Sequence, residues 1–169
     1  DFIQRSAALV GAAYAGVPSL ATDLQTLGNP NIVIGILSDI HITGDSSVDT
    51  FVHTLEYFRT QRVDGVIIAG DMADNGLLAQ LHRVADAWFR VFPDNKGLDG
   101  KYTEKLFIYG NHDREGFNYG YNIFDVPSGE LPADMIRNVG MKKVWEEVFE
   151  EEYAPIYKKE IKGYSFIGA

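Results

Sequence analysis

The 169-residue chain is long enough for one domain with a substantial core, and its 46% hydrophobic and 23% charged residues are typical of a globular protein rather than a disordered one. Its net charge of −9 argues against a surface that coats nucleic acid, although a local nucleotide site stays open. The absence of cysteine excludes disulfides, thiol nucleophiles and cysteine-ligated structural zinc.

The first segment, residues 1–24, is interpreted as a leader. Arg5 precedes a run of small apolar residues that is too short to span a bilayer, and "AYA" at 13–15 supplies a small-x-small cleavage site. "DFIQ" at 1–4 resembles the tail of a twin-arginine signal, and the alternative is an amphipathic N-terminal helix. We therefore expect an exported protein, periplasmic or extracellular, with no transmembrane anchor and a linker at 25–30.

Three apolar runs alternate with two helical patterns from residue 31 onward. The runs are "NIVIGILSD" (31–39), "VDGVIIAGD" (63–71) and "KLFIYGN" (105–111), and the segments between them, 46–61 and 75–93, have helical spacing. Unbroken Val/Ile-rich runs are typical of strands buried on both faces. The order predicts a β-α-β-α-β unit with parallel strands and helical crossovers.

Two further elements are predicted after the third strand. "VWEEVFEEEY" (144–153) has helical spacing and is interpreted as an exposed helix, and "IYKKEIKGYSFIG" (156–168) is interpreted as a hairpin turning at Lys162 and Gly163. The aromatic-rich stretch 117–124 is either a rim that stacks a base or sugar, or a packed surface loop.

Each predicted strand ends in a polar group. Asp39 and His41 follow the first strand, Asp71 follows the second, and Asn111 with His112 follows the third. One such end is explained by a turn, but the carboxyl ends of parallel strands share one edge of the sheet, where ligands bind. Asp39 and His41 face the same side if their segment is extended, and carboxylate with imidazole suits zinc, iron or manganese. His53 and His82 are expected to be solvated residues on helix faces.

The three strand-end blocks resemble a known family. "SDIH" (38–41), "GDMADNG" (70–76) and "GNHD" (110–113) are similar to the D-x-H, G-D-x-x-D and G-N-H-D/E blocks of the calcineurin-like metallophosphoesterases. The resemblance implies a two-sheet α/β sandwich that holds two divalent metal ions, of manganese, iron or zinc. It implies hydrolysis of a small phosphomonoester or phosphodiester.

The resemblance also implies a role for each motif residue. Asp39 and His41 would bind the first metal ion, Asp71 would bridge, and Asn111 would bind the second ion. His112 would be catalytic, protonating the leaving group or steadying the transition state.

Three neighbouring residues are expected to support that set. Asp74 would orient the ring of His112, which makes it part of the catalytic machinery, while Asp113 and Arg114 would lie behind the ligands. Asn75 stands where the protein-phosphatase branch has arginine, which counts against a phosphoprotein phosphatase of that branch.

The family's later metal-binding histidines, including a G-H-x-H block, do not occur before Ala169. Residues 31–169 are therefore interpreted as the N-terminal part of a longer metallophosphoesterase domain, truncated at the C-terminus, and the segment alone is expected to be inactive. Two alternatives are a metal- or phosphate-binding module without catalysis and a structural α/β domain whose polar strand ends are only turns.

Overall fold

The computed structural model describes residues 31–114 and 141–169, and the side chain of Val144 is not described. The predicted leader, the predicted linker and the aromatic stretch 117–124 lie outside the described residues. Among the described residues, no helix combines the length and apolar character needed to cross a bilayer.

The predicted β-α-β-α-β order is confirmed. The elements are β1 (Ile34–Leu37), α1 (Asp45–Thr60), β2 (Gly65–Ala69), α2 (Leu78–Val91) and β3 (Glu104–Ile108). The three strands form a parallel sheet in the order β1-β2-β3, with Ile34 opposite Gly65 and Gly65 opposite Glu104. The fold is mixed α/β, as expected.

Both helices contribute their apolar residues to a single core. Phe51, Val52 and Leu55 of α1 are buried, as are Leu81, Val84 and Trp88 of α2, and they cluster with strand residues that include Val66, Ile68 and Phe107. The Trp88 ring lies edge-on to Phe107, with 5.2 Å between ring centroids. Helical spacing in the sequence therefore translates directly into one buried face on each helix.

The opposite face of the sheet is covered only in part by the described residues. A hairpin, β4 (Tyr157–Ile161) and β5 (Tyr164–Gly168), lines a small cavity together with Ile67 and Leu106 of β2 and β3. Ile36 of β1 stays 55% exposed. The expectation that all three strands are buried on both faces is therefore wrong for β1, because the hairpin lies behind β2 and β3.

The hairpin turns where the sequence predicted it. Lys162 (φ 50°) and Gly163 (φ 83°) both have left-handed backbones, as a two-residue type I′ turn requires. Glycine adopts this conformation without strain.

The segment after 144 differs from the exposed helix that was expected. It forms a five-residue π-helical turn, Val144–Val148, and its aromatic residues enter the core. Phe149, fully buried, lies edge-on to both Phe107 (5.6 Å between centroids) and Trp145 (5.1 Å). The exposed side chains described in this segment are acidic (Glu146, Glu147, Glu150 and Glu152). Trp145 and Phe149 are buried because they pack against Phe107 of β3 and Tyr109 just after it.

Candidate metal centre

The loops that follow the three strands lie side by side because strand-like pairing continues past the strand ends. The backbone N–H of Asp39 donates to the carbonyl of Gly70 (3.2 Å), and that of His41 donates to Asp71 (3.0 Å). The N–H of Gly70 in turn donates to Ile108 at the end of β3 (3.0 Å). The polar residues after each strand therefore meet at one edge of the sheet.

Three of the predicted ligands have left-handed backbones. Asp39 (φ 52°), His41 (φ 43°) and Asp71 (φ 48°) are non-glycine residues with positive φ. The Asp39–His41 segment is therefore not extended, and the condition under which these two side chains would face the same side is not met. Asp and His tolerate this conformation better than most residues, and such strain gathers at functional sites when the surrounding structure enforces it.

Asp71 lies between the two candidate histidines. Its Oδ1 accepts a hydrogen bond from the backbone N–H of His112 (3.0 Å), and its Oδ2 is 4.0 Å from Nε2 of His41. The absence of a side chain at Gly110 lets the Asp71 carboxylate occupy this position. A Cβ at residue 110 would collide with that carboxylate and lie 2.5 Å from the Asp71 backbone nitrogen.

A three-residue group at this edge has the geometry of a metal site. His41, Asp71 and His112 are half-buried, and each offers one ligand atom within 4.8 Å of the others. The two imidazole rings lie edge to face with 4.7 Å between centroids. Ligand atoms that share one ion at about 2.0–2.2 Å are separated by at most roughly 4 Å, so small side-chain rotations bring the group to ligand geometry.

The predicted ligand set is brought together in part. Asp39 and Asn111 are exposed at the ends of β1 and β3, and Asp39 is not a member of the three-residue group. His112, expected at the rim, belongs to that group. Its position suits both a ligand and a proton donor, two roles that respond differently to mutation.

Asp74 contacts the histidines in a way the sequence did not predict. Its backbone carbonyl is 2.7 Å from Nδ1 of His112. Its carboxylate Oδ1 is instead 3.3 Å from Nδ1 of His41. The contact expected from the carboxylate to His112 is thus made by the main chain.

Asp113 is fully buried and ties two loops together. Its carboxylate accepts hydrogen bonds from the backbone N–H groups of Ala73 (2.7 Å) and Gly110 (2.8 Å). Burial raises the pKa of Asp113, and these hydrogen bonds oppose that shift. Gly76 (φ 60°) lies at the same contact between the two loops. Only a glycine fits there, because a Cβ would lie 2.7 Å from the carbonyl oxygen of His112.

The remaining predicted residues lie around this core. The guanidinium of Arg114 lies over the ring of Tyr109, 5.1 Å from its centroid. His53 and His82 are exposed on α1 and α2, as expected.

The sequence predicted neither the role of two motif glycines nor the contact of Asp74 with His41. Gly76 and Gly110 are needed because two loops approach closely, and the only sequence signal was their place at the edges of the motifs. The Asp74 contact had no sequence signal, since it depends on how the loops stack.

The donor set at this edge fits a divalent cation. The carboxylates of Asp71 and Asp74 lie beside the two imidazoles. Nδ1 of His41 is buried and has no well-aligned hydrogen-bond partner in the part of the chain that the structure describes. Carboxylate and imidazole suit zinc, iron and manganese. An acidic cluster would repel an anionic phosphate ester unless a cation neutralised it.

Comparison with known protein families gives a match. The model of the calcineurin-like phosphoesterase family matches residues 32–163, well over half of the chain and inclusive of all three strand-end blocks. No curated protein matches the chain at a significant level.

Proposed function

Because the chain belongs to the calcineurin-like phosphoesterase family, we propose that it hydrolyses a small phosphomonoester or phosphodiester with two divalent metal ions of manganese, iron or zinc. The observation that carries the proposal is the convergence of His41, Asp71 and His112 within 4.8 Å at the carboxyl edge of a parallel sheet. This is the edge at which open α/β sheets bind ligands.

The proposed ligands divide between the two ions. Asp39 and His41 would hold the first, Asp71 would bridge, and Asn111 would hold the second. The position of Asp71 between the histidines supports its assignment as the bridge. Bound there, the ions would supply the positive charge that a transferring phosphate group requires.

His112 is proposed to hand a proton to the leaving oxygen. A carbonyl oxygen only accepts hydrogen bonds, so the 2.7 Å contact with the Asp74 carbonyl assigns a proton to Nδ1 of His112. Nε2 is then the atom that exchanges a proton with the substrate, and it gives a proton to the leaving oxygen from the doubly protonated imidazolium, which leaves the neutral Nδ1–H ring. A positioned histidine of this kind typically contributes about 10²–10⁴-fold to the rate.

The substrate class and location are further proposals. The net charge of −9 favours a small phosphoester over bulk nucleic acid, and Asn75 in place of arginine disfavours phosphoproteins of that branch. The leader chemistry in residues 1–24 supports export.

Metal analysis of the intact protein with paired chromogenic monoester and diester assays tests the proposal. We expect bound divalent metal, turnover that a chelator abolishes and that added metal restores, and loss of both metal and turnover in His41→Ala. His53→Ala, an exposed histidine on α1, is the matched control and should change neither. Metal binding without turnover of either substrate would favour the binding-module alternative, and turnover that survives chelation would refute the proposal.

A further inference from the structure

The carboxylate of Asp74 lies between the side chains of Asn75 and His41. Its Oδ2 accepts a hydrogen bond from Nδ2 of Asn75 (2.8 Å), and its Oδ1 is 3.3 Å from Nδ1 of His41. Among the described residues, that buried nitrogen has no well-aligned hydrogen-bond partner, and the Asp74 carboxylate is an acceptor within its reach. The Asp74 side chain is 37% exposed, which leaves it room for the small rotation that would align the bond.

We infer that Asp74 and Asn75 are positioning residues for His41. The Asp74 carboxylate accepts from Nδ1–H of His41, which keeps Nε2 unprotonated and facing Asp71, and Asn75 holds that carboxylate in place. The inference rests on the proposed function only in taking His41 as a metal ligand.

The direction of the His41 ring supports this arrangement. Nε2 of His41 points toward Oδ2 of Asp71, 4.0 Å away, while Nδ1 points toward Asp74. A histidine binds metal through an unprotonated nitrogen, and a carboxylate behind the other nitrogen selects the tautomer, fixes the ring and raises its basicity.

A single residue thus orients both imidazoles through different oxygen atoms. The main-chain carbonyl of Asp74 contacts His112, and its carboxylate contacts His41. The two rings are close to perpendicular, with an interplanar angle of 79°. Because the two rings are nearly perpendicular, their Nδ1 atoms need hydrogen-bond acceptors in different directions. One carboxylate group alone would not supply both.

Asn75 is anchored well enough to act on Asp74. Its backbone N–H donates to Oε1 of Gln80 (3.0 Å), and the same oxygen accepts from Leu77 at the start of α2 (3.3 Å). Gln80 is itself buried. The side chain of Asn75 is exposed, so its contribution is expected to be smaller than that of Asp74.

The test uses the intact protein with its metal removed, and it compares wild type with Asp74→Ala, Asp74→Asn and Asn75→Ala. Nitrogen-15 spectra of the imidazoles, at a pH well above the ordinary histidine pKa of about 6.5, report which nitrogen carries the proton. Titration with Zn²⁺ reports affinity. Asp49→Asn, which removes an exposed carboxylate on α1, is the matched charge control.

Wild type should show His41 protonated at Nδ1. Asp74→Ala should shift His41 toward the Nε2–H tautomer and weaken Zn²⁺ binding by about 10–100-fold, the usual effect of removing a partner behind a ligand. Asp74→Asn should fall between the two, since its amide oxygen still accepts. Asn75→Ala should weaken Zn²⁺ binding by less than tenfold, and Asp49→Asn should leave tautomer and affinity unchanged.

An unchanged His41 tautomer in Asp74→Ala would overturn the inference, and so would a tautomer change confined to His112. Unchanged Zn²⁺ affinity would also overturn it. Failure of the proposed function has a different signature, because absence of phosphoester turnover in wild type would leave these tautomer and affinity results intact.

Discussion

The strand-end loops (38–43, 70–76 and 109–114) and the β4–β5 hairpin both contact the same sheet, but they are held by different forces. In the loops, buried hydrogen bonds position polar groups: Asp113 binds the N–H groups of Ala73 and Gly110. The hairpin is held by its own antiparallel ladder, by apolar contact and by two lysine side chains, since Lys159 donates to the carbonyl of Lys105 and Lys162 pairs with Asp64 (2.7 Å). It leaves Ile167 73% exposed. The first region specifies positions of individual atoms, and the second mainly covers a surface.

This difference predicts where substitutions matter. A buried donor that loses its acceptor has no alternative partner, so changes in the loops have large and specific effects. An exposed apolar residue such as Ile167 can be changed with an effect within about ±0.5 kcal/mol on unfolding.

The largest expected effect is on catalysis. His112→Ala in the intact protein should lower turnover by about 10²–10⁴-fold, because the proposed proton donor to the leaving group is removed. Metal content should stay near that of wild type, because His112 is proposed as a proton donor and not as a metal ligand. Steady-state turnover and elemental analysis on the same samples give the two quantities.

The paired readout decides between the two roles that the position of His112 suits. Loss of metal together with activity would make His112 a ligand, in line with its place in the three-residue group. Turnover close to that of wild type would remove His112 from the mechanism altogether.

The next largest effect is on stability. Asp113→Ala leaves the buried N–H groups of Ala73 and Gly110 without acceptors, each at a cost of about 1–3 kcal/mol, so the free energy of unfolding should fall by roughly 2–6 kcal/mol. Chemical denaturation measures it. Asp99→Ala is the control, because that exposed loop carboxylate also accepts from a backbone N–H, that of Lys101 (3.1 Å).

The Asp99 variant should lose less than about 1 kcal/mol, since water replaces the lost acceptor. Equal losses in the two variants would show that burial of the Asp113 carboxylate does not set its contribution.

The same contrast explains how far the sequence predicted the structure. Apolar runs and helical spacing predicted β1–β3, α1 and α2, because these patterns report burial on a regular element. The hairpin turn was predicted for a similar reason, since Gly163 supplies a backbone that few other residues adopt.

The details of the site were harder to predict, because they depend on non-local contacts between loops. The left-handed backbones of Asp39 and His41 have no periodic signature. The contact of the Asp74 carboxylate with His41 depends on a ladder that runs from β1 into the loop after β2. The burial of Trp145 depends in part on Tyr109, an aromatic partner more than thirty residues earlier in the chain.

A smaller effect is expected from adding one methyl group to the loops. In Gly110→Ala, the new Cβ would collide with the Asp71 carboxylate, so Asp71 must move. Overpacking of this kind costs about 1–3 kcal/mol, and Zn²⁺ affinity should fall with it because the proposed bridge is displaced. Gly97→Ala is the control, since its Cβ would meet its nearest neighbour at an ordinary 3.5 Å.

Gly97→Ala should leave Zn²⁺ affinity unchanged and alter the free energy of unfolding by no more than about 0.5 kcal/mol. If Gly110→Ala bound Zn²⁺ as tightly as wild type, the loop would rearrange around the added methyl group without displacing Asp71. That result would contradict the conclusion that the strand-end loops fix the positions of individual atoms.

The smallest effect belongs to the hairpin and appears only at alkaline pH. Burial of the phenol, assisted by the negative charge of Glu151, raises the pKa of Tyr157 to about 12, above its ordinary value of about 10. A group whose pKa is higher in the folded state stabilises the fold below its unfolded pKa. This stabilisation is lost as the pH rises from about 10 through about 12.

The difference in tyrosinate absorbance between wild type and Tyr157→Phe reports the titration of Tyr157 alone. Its midpoint should lie near pH 12, and the variant should lose less stability than wild type between pH 10 and pH 12. A midpoint near 10 would mean that the hairpin does not shield this ring, and that contact with the sheet constrains it less than the apolar packing indicates.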